Sequence, residues 1–166
     1  MPKSSKSDEF PTPDLVIAET GKRIPEQQAY LQIVRTGEVL SGDVSALLAE
    51  FGLSGKQYNV LRALRRGGED GLTAAQIGSQ MTDPGADVTR LVDRLVREGL
   101  VERRHGEQDR RVVRSVLTKK GQALLAEIDA PLIEAHKTQL GHMSHEELAT
   151  LAALVKKARL GSARGT

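Results

Sequence analysis

Asp87, Arg90, Arg94 and Arg97 follow one another at intervals of three and four residues, and Arg110 and Arg111 come soon after in a polar stretch. Such intervals put side chains on one face of a helix. A row of guanidinium groups there is suited to one kind of chemistry. Each planar fork can donate paired hydrogen bonds to a phosphate or to the major-groove edge of guanine. The surrounding charge agrees. Between Asp87 and Lys120, ten basic residues stand against six acidic ones, a local excess of +4 that leaves −2 for the rest of a chain of net charge +2. A basic patch in the middle of a slightly acidic protein suits one face meeting a polyanion.

Other chemistries find no footing. The chain has no cysteine, which removes thiolate nucleophiles, disulfides, cysteine-based zinc sites and thiol redox sensing. It has no Gly-x-Ser-x-Gly elbow and no phosphate-cradling glycine loop. His136, His142 and His145, with Glu134 or Glu146 beside them, match no zinc-binding spacing. We therefore expect no enzyme, no metal and no other cofactor. Phe10, Tyr30, Phe51 and Tyr58 are the whole aromatic complement, too few for stacking platforms that hold single strands. The expected polyanion is double-stranded DNA. No apolar run is long enough to span a bilayer, and Met1 to Lys6 leads into acidic, Pro-containing sequence rather than an apolar signal core. We expect no membrane partner and a cytoplasmic, nucleoid-associated location.

The elements that must position these residues follow from periodicity and caps. Residues 1–22 are polar and read as a disordered arm. In residues 23–52, Tyr30, Ile33, Val34, Leu40, Val44, Leu47, Leu48 and Phe51 recur at helical spacing, with Gly37 and Gly42 as weak points. Ser54 with Gln57, Thr73 with Gln76 and Ser144 with Glu147 are capping boxes, so a helix should begin at each. A further helix is expected to start at Asp83-Pro84 and to run through Val88, Leu91, Val92 and Leu95 to a Gly99 C-cap. Val101 to Leu117 then reads as a two-stranded hairpin with Arg110 and Arg111 at its exposed tip. Thr118 caps a long helix that Pro131 is expected to kink, and the helix after Ser144 carries Leu148, Leu151, Leu154 and Val155 before a frayed tail at 161–166. The fold class is mainly α with a small β-hairpin wing.

Helix, tight turn, helix and basic hairpin is the order of a winged helix-turn-helix. Asp87-Val88-Thr89-Arg90-Leu91-Val92-Asp93-Arg94-Leu95, then Gly99-Leu100-Val101, Asp109-Arg110-Arg111 and Leu117-Thr118 resemble the MarR family of bacterial transcriptional regulators from about residue 25 to 160. The resemblance implies a winged helix-turn-helix DNA-binding lobe over 53–118, between a dimerisation helix at 23–52 and C-terminal dimerisation helices at 119–160. It implies a homodimer on an inverted-repeat operator, acting as a repressor that a small, aromatic or acidic effector releases. Arg90 and Arg94 are then the recognition-helix contacts, with Asp87 and Thr89 as hydrogen-bonding partners near the helix start. Val88 either touches a thymine methyl or faces the core. Arg111 is the wing arginine, Asp109 holds it in position, and Arg110 is a second phosphate or minor-groove contact. The effector pocket would draw on Ile33, Val34, Leu40 and Tyr58. An alternative is a ligand-independent winged-helix module regulated by protein partners.

Overall fold

The computed structural model describes residues 24–81, 86–105 and 112–162. They form α1 (Pro25–Glu50), α2 (Gly55–Gly67), a 3₁₀ turn (Gly68–Asp70), α3 (Ala74–Gly78), α4 (Val88–Arg97), β1 (Val101–His105), β2 (Val113–Leu117), α5 (Lys119–Leu140) and α6 (His145–Ser162). The chain divides into two compact units, residues 1–39 and 40–166. The described part of the first unit is the beginning of α1, where Tyr30, Ile33, Val34 and Val39 are exposed. Helix α1 spans Pro25–Glu50, with Gly37 and Gly42 inside it. Each glycine costs a helix only about 0.5–1 kcal/mol relative to alanine, which a helix of this length tolerates.

The second unit is built around α2. Its Tyr58, Val60, Leu61, Ala63 and Leu64 are buried, and they meet Ile77 of α3, Val92 and Leu95 of α4 and Leu125, Ile128 and Leu132 of α5 in one core. Burying a side chain of this kind contributes about 1.5–3 kcal/mol. All three expected capping boxes form. Ser54 and Gln57 bond reciprocally, as do Thr73 with Gln76 and Ser144 with Glu147. Thr118 caps α5 by accepting the Gly121 N–H at 3.1 Å, and α5 continues through Pro131 to Leu140.

Helix α4 begins later than the sequence suggests. Ala86 and Asp87 are not helical, and the Asp87 carboxylate takes the Arg90 N–H at 3.1 Å. Asp87 thus wins the N-cap from Asp83, whose helix would have carried Gly85 in its first turn. Residues 82–85 themselves lie outside the described residues. At the other end Gly99, at φ 72°, closes a Schellman turn, with Gly99 N–H bonded to the Val96 carbonyl and Leu100 N–H to that of Leu95.

Strands β1 and β2 pair antiparallel, Val101 opposite Leu117 and His105 opposite Val113. A third segment joins them. Leu72 and Ser115 exchange two backbone hydrogen bonds of 3.0 and 2.8 Å, so β2 lies between β1 and Leu72. Gly71 enters this bridge at φ 65°, where a Cβ would strike the Val116 side chain and the Ser115 carbonyl. Only glycine fits there.

Candidate nucleic-acid interface

Helix α4 divides by face. Val92 and Leu95 are buried, while Val88, Leu91 and Val96 pack half-buried against the same core. At about 100° per residue, Arg90, Arg94 and Arg97 fall within an arc of about 60° on the opposite side. All three are exposed, and no side-chain partner among the described residues holds their guanidinium groups. Thr89 is exposed beside them, and Asp87 is exposed with one carboxylate oxygen spent on the helix cap. Val88 is half-buried against the core, and its Cγ2 lies 3.6 Å from where a Cβ on Gly78 of α3 would stand.

The remaining basic residues of this region divide differently from what charge counting implies. Arg103 of β1 is bound to Asp93 of α4 at 2.6 Å. Arg104 pairs with Glu102 at 2.6 Å, Arg114 donates to the Gly71 carbonyl at 3.2 Å, and Lys120 donates to the Glu98 carbonyl at 2.8 Å. Arg104 and Arg114 face each other across the hairpin, so their separate partners also relieve a like-charge pair. These cations hold the lobe together. The stripe on α4 has no such partners among the described residues. Asp93 lies on the flank of that stripe, about 70° from its centre, and the Arg103 guanidinium neutralises it.

Asp109, Arg110 and Arg111 lie outside the described residues, as does the hairpin tip. Of the residues expected around an effector, Ile33 and Val34 are exposed in the first unit. Leu40 is half-buried in the second, and Tyr58 is buried in its core with Arg62 stacked 5.8 Å from the ring centre. Among the described residues no group of His, Asp and Glu could hold a metal ion. No described helix is long and apolar enough to cross a membrane. The sequence reading missed the Asp93–Arg103 pair. No local pattern signals it, because it joins a helix face to a strand whose register is set only on folding.

The model of the MarR family matches residues 51–112, from the end of α1 to the start of β2. The HTH-type transcriptional regulator YwoH of Bacillus subtilis is 31% identical over 116 residues, 70% of this chain and 82% of that one. A MarR transcription factor from Planctomyces limnophilus is 37% identical, with a TM-score of 0.63 over 81% of this chain and 98% of that one. MepR of S. aureus, solved in complex with DNA, is 26% identical, with a TM-score of 0.70 over 80% of this chain and 96% of that one.

Proposed function

Because the chain belongs to the MarR family of helix-turn-helix transcriptional regulators, we propose that it binds double-stranded DNA as a homodimer, with α4 as the recognition helix. The observation that carries this is the stripe of Arg90, Arg94 and Arg97, exposed and without side-chain partners among the described residues, on a helix anchored by its opposite face. A helix of that form fits the major groove, where its N-terminal half meets base edges and its flanks meet phosphate. Arg90 and Arg94 contact bases or phosphates, Thr89 and the second carboxylate oxygen of Asp87 add hydrogen bonds, and Val88 divides its surface between core and groove. Arg111 and Arg110 reach the flanking backbone or minor groove from the wing, with Asp109 positioning Arg111. MepR, a relative solved on DNA, supports the same use of the fold.

Dimerisation draws support from apolar residues that one chain leaves uncovered: Ile133 of α5 and Leu151, Leu154, Val155 and Leu160 of α6 are all exposed. Leu151, Leu154 and Val155, one turn apart on α6, are suited to an interface. A dimer has two recognition helices, which calls for an inverted-repeat operator. Such a dimer across a promoter represses by occupying it, and a small-molecule effector releases it. These last two steps rest on the family resemblance. The test is binding to duplex DNA across a salt series. If the dimer neutralises about 6–10 phosphates, affinity falls about 10³–10⁵-fold between 50 and 200 mM salt. Binding indifferent to salt overturns the reading. A thermal-shift screen of small acids that finds no stabiliser favours the alternative, a winged-helix module controlled by protein partners.

A further inference from the structure

At its base the wing shares the core with the recognition helix through Val101, Val92 and Leu95; further out, among the described residues, the ion pair of Arg103 with Asp93 ties the two together. Strand β2 is held on its far side by the two Leu72–Ser115 hydrogen bonds, which leaves β1 as the outer strand. Where the hairpin faces α4 lies an open groove of about 430 Å³, bounded by Ala74 of α3, by Thr89 and Val92 of α4 and by Arg103, His105, Val113 and Ser115 of the strands. Apolar packing does not fill this gap. Beside it, Arg103 reaches from the outer strand to Asp93 at 2.6 Å, with both side chains close to half exposed. The neighbouring Arg104 turns instead to Glu102 of its own strand.

We propose that Asp93 and Arg103 are positioning residues for DNA binding: their ion pair fixes the angle of the wing to the recognition helix, so that both meet one duplex together. The proposal rests on the DNA-binding reading above, and it makes a claim opposite in sign to simple electrostatics. Asp93 is an acid on the DNA-facing helix, so removing its charge should tighten binding to a polyanion if charge were all that mattered. If the pair sets the wing, Asp93→Asn weakens binding instead, because the wing loses its tie and the freed arginine does not replace it. A contact made by Arg103 itself to phosphate is the rival, and it has its own signature. Losing such a contact lowers the salt slope by about one per protomer.

The test has two arms on the full-length protein. In the first, without DNA, amide hydrogen exchange is compared in wild type, Asp93→Asn and Arg103→Gln. Both variants are expected to speed exchange in β1 and β2 about fivefold, the size of a well-formed surface pair, with the amides of α2 unchanged. In the second arm, affinity for a duplex pool is expected to fall about 5–25-fold in each variant, one factor of five per protomer, at an unaltered salt slope. The double variant should be no worse than either single one. Unchanged exchange in the wing overturns the proposal, and so does tighter DNA binding by Asp93→Asn. A loss confined to Arg103→Gln with a reduced salt slope reassigns Arg103 to phosphate. If wild type binds no duplex at all, the DNA-binding reading fails, and the exchange arm alone decides whether the tie exists.

Discussion

Helices α2 and α6 both carry large apolar side chains, yet they end up in opposite circumstances. Six of the residues of α2, Gln57, Tyr58, Val60, Leu61, Ala63 and Leu64, are buried, and even the polar Gln57 has its cap partner Ser54. No described side chain of α6 is buried: Leu148 is half-buried, and Leu151, Leu154, Val155 and Leu160 are exposed. The contrast teaches that the core around α2 is completed within one chain, with Leu125, Ile128 and Leu132 of α5 contributing to it, whereas α6 carries apolar surface that only another surface can cover. Caps do not explain the difference, because both helices begin at a formed capping box. What differs is the supply of neighbours.

The largest effect should come from breaking the self-sufficient side. Leu61→Ala removes a side chain with no exposure from the centre of the lobe and is expected to cost about 2–5 kcal/mol of unfolding free energy, read by urea denaturation. A cost below 1 kcal/mol would show that the lobe is not the closed core described. Next comes the other side. Leu154→Glu changes a residue that is 59% exposed in one chain, so the lobe should remain folded by circular dichroism. Self-association should weaken by about 2–4 kcal/mol, as expected for a charge placed in an apolar interface, and sedimentation should move to the mass of one chain. If that variant stays as associated as wild type, α6 is not the incomplete element.

Arg94→Ala sharpens the comparison inside the lobe, where some arginines are committed and others are not. A contact to a base edge should cost about 1–3 kcal/mol and relax preference at one position of each half-site. A phosphate contact would weaken all sequences evenly. Thermal stability should not move, since Arg94 has no side-chain partner among the described residues. The smallest effect belongs to the seam between α2 and α5, where Arg65 grips Asp129 with bonds of 2.7 and 3.0 Å. The hydrogen bond from Arg65 holds the Asp129 carboxyl below its usual range. A group with a lowered folded value stabilises above its unfolded value and loses that contribution as pH falls through the folded one. Asp129→Asn should therefore cost about 0.2–1 kcal/mol at neutral pH and nothing at strongly acid pH, because the pair is nearly half exposed to water.

How far the sequence could be read depended on how local the signal was. The capping residues Ser54, Thr73, Thr118 and Ser144 stand within three residues of the groups they bond, and each marked a helix start correctly. The hairpin was readable from the β-prone run at Val112 to Leu117. The start of α4 was not, because Asp83-Pro84 carries a local start signal, and only the folded chain shows that Asp87 takes the Arg90 N–H. The Leu72–Ser115 bridge and the Asp93–Arg103 pair join residues that no short window contains. The stripe of Arg90, Arg94 and Arg97 was visible as spacing. Its separation from Arg103, Arg104 and Arg114, which have internal partners, required the register of the strands.

The central claim is that two arginine-striped helices, brought together by completing what α6 lacks, read one duplex. Selection of bound sequences from a random duplex pool by the full-length protein tests this most directly. A two-fold dimer predicts enriched inverted repeats whose half-sites are centred about one helical turn, ~10 bp, apart. Enrichment of single unpaired half-sites, or no enrichment at all, would contradict it.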